Sequence, residues 1–150
     1  MILLSPYSAY ISNKVMSSVL LIGGNGFLGK EIIRYFNQKK IKISKIDIKK
    51  IFFEKLDEKK INNFLEKKFN KKKKNIFIHL GWGLISDPFS SYHKVNYLKS
   101  KLIFKFCKIK KFEKIIFCGS INEYGNKKGG LKESFRPKKF IGLYAKYKFL

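Results

Sequence analysis

The chain has 150 residues and an apolar content of 45%, which is enough for one domain with a substantial hydrophobic core. Its 34 Lys and Arg residues against 10 Asp and Glu residues give a net charge of +24, which predicts salt-sensitive, nonspecific adhesion to polyanions. Because the lysines are spread along the chain and form a dense block only at Lys71–Lys74, this charge does not predict a specific nucleic-acid partner.

Short apolar runs alternate with amphipathic stretches along the chain. They predict strands at 19–23, 41–47, 75–80 and 115–118, a short apolar run at 51–53, helices at 27–38, 57–69 and 92–110, and a last helix from about 144, with loops at 81–91 and 119–139. Strands separated by helices indicate an α/β fold with a doubly wound parallel sheet. Residues 1–17 precede this pattern without the features of a signal peptide, so we expect an N-terminal extension or a start at Met16. No apolar run reaches the length of a membrane span.

The same patterns predict which side chains are buried. The predicted buried faces of the first helix and the long helix consist of apolar residues at helical spacing: Leu28, Ile32 and Phe36 in the first, and Leu98, Leu102, Phe106 and Ile109 in the long one. His79 ends an apolar strand and is interpreted as structural, whereas His93 is predicted to be exposed. Cys107 and Cys118 fall in apolar patterns without metal-ligand spacing, which predicts buried free thiols, a cytoplasmic location and no metal site.

A glycine-rich turn, Gly23-Gly-Asn-Gly-Phe-Leu-Gly29, joins the first predicted strand to the first predicted helix. Its glycines allow a tight turn and the close approach of a pyrophosphate, and the helix N-terminus offers N–H groups with a partial positive charge. Asp47 lies 24 residues after Gly23 at the end of the second strand, where a carboxylate can accept hydrogen bonds from an adenosine ribose. Together these features predict a dinucleotide site. In the alternative interpretation, the glycines serve only helix–strand packing.

Two further strand ends carry unusual segments, His79–Gly83 and Gly119–Gly125. Because ligands of such sheets gather at the carboxyl ends of the strands, both segments are expected to face the same crevice as the glycine turn. The sequence therefore predicts one shared site.

Tyr144 and Lys148 are four positions apart and would share one face of the last helix. A lysine ammonium beside a phenol stabilises the phenolate, so the tyrosine could exchange a proton with a sugar or alcohol oxygen near neutral pH. Ser120 follows the 115–118 strand and could hydrogen-bond the same oxygen, holding it over a nicotinamide for hydride transfer. Such a pair often arises by chance in a lysine-rich helix, but its place behind a dinucleotide motif favours a catalytic role.

In combination, these motifs resemble the extended short-chain dehydrogenase/reductase family, in its NAD-dependent epimerase/dehydratase group that acts on nucleotide sugars. The resemblance covers about 18–150 and rests on GxxGxxG at Gly23, Gly26 and Gly29, the ribose-binding acid at Asp47, the cofactor-lining segment His79–Gly83, the helix asparagine Asn96, the serine segment Ser120–Gly125, and YxxxK at Tyr144 and Lys148. It implies a Rossmann-like cofactor domain over 18–150, with NAD as the cofactor and NADP as the alternative. Asp47 favours NAD, since a carboxylate repels a 2′-phosphate.

The resemblance also implies which residues act. The implied catalytic residues are Ser120, Tyr144 and Lys148. The implied cofactor-binding residues are Gly23, Asn25, Gly26, Phe27, Leu28, Gly29, Asp47, Leu80, Gly81, Trp82, Tyr144 and Lys148. Trp82 could shape the nicotinamide or sugar pocket, or be a half-buried loop residue. The acid expected against the adenine would be Glu54 or Asp57.

Within the family, the segments around His79 and Ser120 are similar to reductases of nucleotide-linked 4-keto-6-deoxyhexoses, which supply sugars for surface polysaccharides. A UDP-sugar 4-epimerase is the alternative. A 4,6-dehydratase is disfavoured, because Ile121 and Asn122 stand where that group has acidic residues. Glu123 is interpreted as a residue that faces elsewhere or as a loop carboxylate bonded to backbone.

Family members are much longer than this chain and continue into a substrate lobe. We therefore expect a chain truncated before that lobe, with weak stability and little turnover of its own, and the family implies a homodimer. Two other classes stay open. One is a nonenzymatic NAD-binding module, and the other is a basic nucleic-acid-binding protein, for which stacking platforms of aromatic residues are not evident.

Overall fold

The computed structural model describes residues 18–47, 51, 56–71, 73–83, 85–125, 129–130, 132, 134–137 and 139–150. The predicted extension at 1–17, most of the apolar run at 51–53 and the candidate acid Glu54 lie outside the described residues. Ile51 is described and is buried.

Four parallel strands form the sheet of the described chain, in the order β2-β1-β3-β4. The strands are β1 (Ser18–Ile22), β2 (Lys42–Ile46), β3 (Asn75–His79) and β4 (Lys114–Phe117), and the helices are α1 (Phe27–Gln38), α2 (Glu58–Glu66), α3 (Tyr92–Ile109) and α4 (Gly142–Phe149), with a short 3-10 helix at Ile121–Tyr124. The predicted α/β fold is confirmed, and the predicted bounds differ from these by three residues or fewer.

Side chains of β1 alternate between two hydrophobic cores, because successive residues of a strand point to opposite faces. Leu20 and Ile22 pack on one face with residues of α2 and α3. Val19 and Leu21 pack on the other face with residues of α1. Helices therefore cover both faces of the central strands, which is the doubly wound arrangement. β4 lies at the sheet edge, where Ile115 and Ile116 are 41% and 49% exposed.

The buried face of α3 differs from the predicted apolar stripe. Ile109 is 65% exposed, and Leu98 and Leu102 are only half buried. The buried positions of this helix are His93, Asn96, Lys99, Ser100, Ile103, Phe106 and Cys107. Its first half is polar because it lies against the backbone of the segment after β3, which requires hydrogen-bond partners. The prediction that His93 is exposed is therefore wrong.

Two smaller predictions also change, those for Leu28 and Cys118, and Asp57 has a role within the fold. In α1, Ile32 and Phe36 pack on the core as predicted, but Leu28 is 39% exposed. Asp57 caps α2 by accepting a hydrogen bond from the backbone N–H of Lys60 at 2.9 Å, so its carboxylate is used within the fold. Cys118 is only half buried.

Cys107 is buried as predicted, and burial raises the pKa of its thiol to about 12. Such a thiol is protonated and unreactive at neutral pH. Within the described ranges, none of the helices combines the length and the apolar character needed to cross a bilayer.

Candidate functional site

An open cleft of about 400 Å³ lies at the carboxyl edge of the sheet, where β1 and β2 end beside the segment that follows β3. Its lining consists of Gly23, Gly24, Asn25, Gly26, Lys45, Ile46, Asp47, Leu80, Gly81 and Trp82. Most of the cofactor-binding residues implied by the resemblance are thus brought together in one place. Gly24, Lys45 and Ile46 join them without having been predicted.

The glycines of the turn have different physical roles. Gly23 has a φ of +88°, and a Cβ there would lie 2.8 Å from the backbone nitrogen of Gly81. A Cβ at Gly29 would collide with the carbonyl oxygen of Gly23 and lie 2.7 Å from the Cα of Gly24. Both positions therefore exclude a side chain because protein backbone passes close by. At Gly26 a Cβ would meet only the Gly23 oxygen, at 3.5 Å, so packing does not require glycine there.

α1 begins at the cleft without a side-chain cap. Gly26 is its N-cap residue, and its first turn contains no acidic residue. The first backbone N–H groups of a helix lack partners within the helix, and they favour an anion through their partial positive charge. Phe27 is 86% exposed and Leu28 is 39% exposed, and neither lines the cleft. Their contribution to a ligand would come from backbone N–H groups.

Lys148 lies in an aromatic pocket next to the end of β4. Its Nζ donates a hydrogen bond to the carbonyl oxygen of Cys118 at 2.6 Å, and lies 4.1 Å from the ring centroid of Phe117 and 4.7 Å from that of Trp82. The residue is only 6% exposed. Desolvation lowers the pKa of Lys148 to about 8, and the charges of Cys118 and Glu123 offset part of this effect. The ammonium is thus buried but still largely protonated at neutral pH.

Tyr144 stands on the same face of α4, one turn before Lys148. Its ring meets Trp82 edge to face with 6.3 Å between centroids, and His93 with 5.3 Å between centroids. Its backbone N–H donates to the carbonyl oxygen of Pro88 at 2.8 Å. Trp82 therefore contacts both members of the predicted Tyr–Lys pair while it also lines the dinucleotide cleft.

Ser120 forms a capping box with Glu123 at the start of the 3-10 helix. The backbone N–H of Ser120 donates to Glu123 Oε1 at 2.6 Å, and Ser120 Oγ accepts from the backbone N–H of Asn122 at 3.3 Å. Burial raises the pKa of Glu123, against the opposing effects of the Ser120 N–H and of Lys148. The interpretation of Glu123 as a carboxylate bonded to backbone is confirmed.

Ser120 and the Tyr–Lys pair are connected through the backbone at Cys118. Ser120 follows Cys118 by two residues, and the Cys118 carbonyl is the anchor of Lys148. Among the described residues, however, Tyr144 makes no hydrogen bond to Ser120 or Lys148. The three predicted catalytic residues thus share a neighbourhood through Cys118 and Trp82 rather than a direct hydrogen-bond chain.

A polar side of α3, of which the sequence patterns had pointed only to Asn96, supports this neighbourhood. Trp82 Nε1 lies 3.0 Å from His93 Nδ1, and His93 Nε2 lies 2.7 Å from the carbonyl oxygen of Asp87. Asn96 Nδ2 donates to the carbonyl oxygen of Gly83 at 2.8 Å. The spacing of His93, Asn96 and Ser100 at helical intervals was the available signal, but a periodicity search that counts only apolar residues overlooks it.

His79 continues this polar side into the sheet. Its Nε2 lies 3.2 Å from Ser100 Oγ, which in turn donates to the backbone oxygen of Asn96 at 2.9 Å. Burial lowers the pKa of His79 to about 3, and the positive charge of Lys148 acts in the same direction. His79 is therefore neutral at physiological pH, and its interpretation as a structural histidine is confirmed.

Solved structures share this fold at low sequence identity. A dTDP-4-dehydrorhamnose reductase from Bacillus anthracis in complex with NADP matches with a TM-score of 0.69 at 19% identity, over 92% of this chain and 48% of its own. A UDP-glucose 4-epimerase from Thermus thermophilus in complex with NAD gives 0.67 at 18% identity, over 88% of this chain and 47% of its own. A GDP-L-fucose synthetase from Naegleria fowleri gives 0.66 at 19% identity, over 88% of this chain and 40% of its own. The chain thus spans about half, or less, of the length of these structures.

At such identities the structural likeness establishes the fold alone. No curated protein matches the chain. The model of the NAD dependent epimerase/dehydratase family matches residues 19–149, a range that contains the glycine turn, Ser120 and the Tyr144–Lys148 pair. This match extends over most of the chain, and the chain therefore belongs to the NAD-dependent epimerase/dehydratase family.

Proposed function

We propose that this chain binds NAD(P) and takes part in the reduction of a nucleotide-linked 4-keto-6-deoxyhexose, a reaction that would supply sugars for surface polysaccharides. The observation that carries the proposal is the position of Trp82, which lines the glycine-turn cleft and also contacts Tyr144 and Lys148. A cofactor in that cleft would reach toward the proton-transfer pair. The second candidate is a UDP-sugar 4-epimerase, since a UDP-glucose 4-epimerase is among the structures with the same fold.

The residues of the cleft fit an adenine dinucleotide. The uncapped N-terminus of α1 would bind the pyrophosphate, and the space beside Gly26 would let it approach the backbone. Asp47 lines the same cleft and would accept hydrogen bonds from the adenosine ribose, which favours NAD over NADP. Lys45, also in the lining, would temper that preference by attracting a 2′-phosphate.

A bound NAD(P)H would supply the hydride for the carbonyl carbon of the sugar and would be oxidised to NAD(P)⁺. Tyr144 would donate its phenolic proton to the carbonyl oxygen, so that one C–H bond and one O–H bond form and the ketone becomes an alcohol. Ser120 would hydrogen-bond the same oxygen and fix its position. Lys148 would supply the positive potential that stabilises the phenolate, because the Cys118 carbonyl and two aromatic rings hold its ammonium in place.

Cofactor binding can be tested without substrate, because Trp82 is the single tryptophan of the chain. NADH added to the protein should quench Trp82 fluorescence and give sensitised nicotinamide emission in a saturable titration. Reduced nicotinamide mononucleotide, which has the same fluorescent ring but lacks the adenosine half, serves as the matched control and should bind far more weakly. A titration with no energy transfer at any NADH concentration would reject the proposed cofactor site.

Reaction type requires a second measurement. Consumption of reduced cofactor in proportion to a dTDP-linked 4-keto-6-deoxyhexose supports the reductase. Interconversion of UDP-sugar epimers without net cofactor consumption supports the epimerase. NADH binding with neither reaction would fit a nonenzymatic NAD-binding module, and it would equally fit the little turnover expected of a chain that spans about half the length of its solved relatives.

A further inference from the structure

His93 is completely buried at the start of α3, although it carries two polar ring nitrogens. An indole N–H can only donate, so the 3.0 Å contact between Trp82 Nε1 and His93 Nδ1 requires Nδ1 to be the acceptor. Nε2 then carries the proton and donates it to the carbonyl oxygen of Asp87 at 2.7 Å. Both nitrogens are used, and the ring is held in a single neutral tautomer.

Trp82, the hydrogen-bond partner of His93, lies between the two parts of the candidate site, which are the dinucleotide cleft and the Tyr144–Lys148 pair. One side of Trp82 belongs to the lining of the dinucleotide cleft. The same indole contacts the ring of Tyr144 and the ammonium of Lys148. Rotation of the indole about its side-chain torsions would therefore change the shape of the cleft and the support of the proton-transfer pair together.

His93 also holds the segment that connects these parts. Its bond to Asp87 fixes the backbone next to Pro88, whose carbonyl oxygen accepts the N–H of Tyr144 at 2.8 Å. A Cβ added at Gly142 would lie 2.6 Å from the same Pro88 oxygen, so α4 begins in close contact with this segment. The ring of His93 further packs against the ring of Tyr144. One imidazole thus touches Trp82, the Pro88 segment and Tyr144.

We propose that His93 is a positioning residue, which fixes the indole of Trp82 as the wall between the dinucleotide cleft and the Tyr144–Lys148 pair. It acts through hydrogen bonds and would not touch cofactor or substrate. The inference goes beyond the proposed function and rests on it only for the readouts that use NADH. The hydrogen bond itself can be measured in the protein without cofactor.

The first experiment uses the ¹⁵N-labelled wild-type chain. An N–H···N hydrogen bond transmits a scalar coupling between its two nitrogens, so NMR should detect a coupling between Trp82 Nε1 and His93 Nδ1. The imidazole nitrogen shifts should show the neutral tautomer protonated at Nε2. Absence of the coupling, or the opposite tautomer, would overturn the proposal without reference to NADH.

The second experiment compares two substitutions of His93. His93→Phe keeps an aromatic ring against Tyr144 and removes both hydrogen bonds, whereas His93→Gln keeps one acceptor and one donor. His93→Phe should shift the emission maximum of Trp82. It should also weaken NADH binding about tenfold, because the loss of a hydrogen bond of this strength lowers the population of the cleft-lining indole position by about that factor. It should also change the energy-transfer efficiency at NADH saturation. His93→Gln should stay close to wild type in all three readouts.

Two outcomes of this comparison would overturn the positioning role. One is a His93→Phe protein with wild-type emission and NADH affinity, which would mean that only ring packing matters. The other is an equal loss in both variants, which would mean that a donor and an acceptor at this position do not hold the indole. If His93→Phe does not fold, the coupling in the wild-type chain and the His93→Gln protein decide the proposal, and a missing coupling, or a His93→Gln protein with shifted emission and weakened NADH binding, would overturn it. Wild-type protein that shows the coupling but no NADH energy transfer would reject the proposed function while leaving the hydrogen bond established.

Discussion

Substitution of single glycines can separate the packing role of the glycine turn from its binding role. A Cβ at Gly29 would collide with the Gly23 carbonyl oxygen and lie 2.7 Å from the Gly24 Cα, and these are backbone atoms that cannot rotate away. A Cβ at Gly26 would find only the Gly23 oxygen, at 3.5 Å. Gly29→Ala and Gly26→Ala therefore add the same methyl group to two neighbouring positions with opposite surroundings.

The expected effects on the free energy of unfolding follow from these distances. Overpacking at Gly29 should cost about 3 kcal/mol, the upper part of the usual range, because the contacts are with backbone. The higher helix propensity of alanine compared with glycine should stabilise the fold by about 1 kcal/mol. The net loss of about 2 kcal/mol corresponds to a fall of about 4–8 °C in Tm for a chain of this size. At Gly26, the weaker N-cap preference of alanine and the reduced freedom of the unfolded chain roughly cancel.

Gly26→Ala should leave stability nearly unchanged but should weaken the binding of NADH. If the pyrophosphate lies against this glycine, the added methyl group occupies its place, and binding should weaken by about tenfold or more, equivalent to about 1.4 kcal/mol. Thermal unfolding and the Trp82 energy-transfer titration measure the two quantities on the same samples. A Gly26→Ala protein with normal Tm and normal NADH affinity would refute the placement of the pyrophosphate, and an equal fall in Tm for both variants would refute the packing argument.

Three further predictions concern single side chains around the cleft. Tyr144→Phe keeps the ring contacts with Trp82 and His93, so the unfolding free energy should change by less than about 0.5 kcal/mol. Any reductase turnover of the wild-type chain should fall by about 10²- to 10⁴-fold, and unchanged turnover in a steady-state assay would remove Tyr144 from the mechanism. Burial lowers the pKa of Lys148 from 10.5 to about 8, so the unfolded chain binds more protons between these pH values and stability must rise with pH across that window. In urea denaturation, the free energy of unfolding of the wild-type chain relative to that of Lys148→Met should rise by about 3 kcal/mol between pH 7 and pH 11. A difference in unfolding free energy that does not vary with pH would contradict the buried ammonium. Asp47→Asn removes the carboxylate charge, so the ratio of NADPH to NADH affinity should rise, and parallel titrations that give an unchanged ratio would show that Asp47 does not face the ribose.

Most of the fold could be predicted from the sequence because its determinants are local. The alternation of apolar runs and helical stripes, such as Val19–Ile22 before Phe27–Gln38, depends only on residues near each other in the chain. The glycine turn and Asp47 could be placed at the same edge because parallel strands end on one side of a sheet. The cleft that contains Gly23, Gly26 and Asp47 follows from these local patterns.

The helix faces near the site could not be predicted in the same way. Apolar periodicity gave a stripe that ends at Ile109, but that residue is 65% exposed. The site end of α3 instead buries His93 and Asn96, because the backbone at Gly83 and Asp87 needs hydrogen-bond donors there. A polar residue becomes the better core residue only when the surface it meets is itself polar, and that surface is contributed by another part of the chain.

By itself, the sequence determined that the fold is α/β with a parallel sheet, that a glycine turn and an acid follow its first two strands, and that a Tyr–Lys pair shares one helix face, since each is a short pattern with its own conformational preference. Only the tertiary structure decided that Lys148 is anchored by the Cys118 carbonyl, that Trp82 connects the cleft to the ring of Tyr144, and that the Trp82 indole is hydrogen-bonded to His93. The physical reason is that these contacts join residues far apart in the chain. Their partners are selected by the packing of β4, α3 and α4, which no local pattern contains.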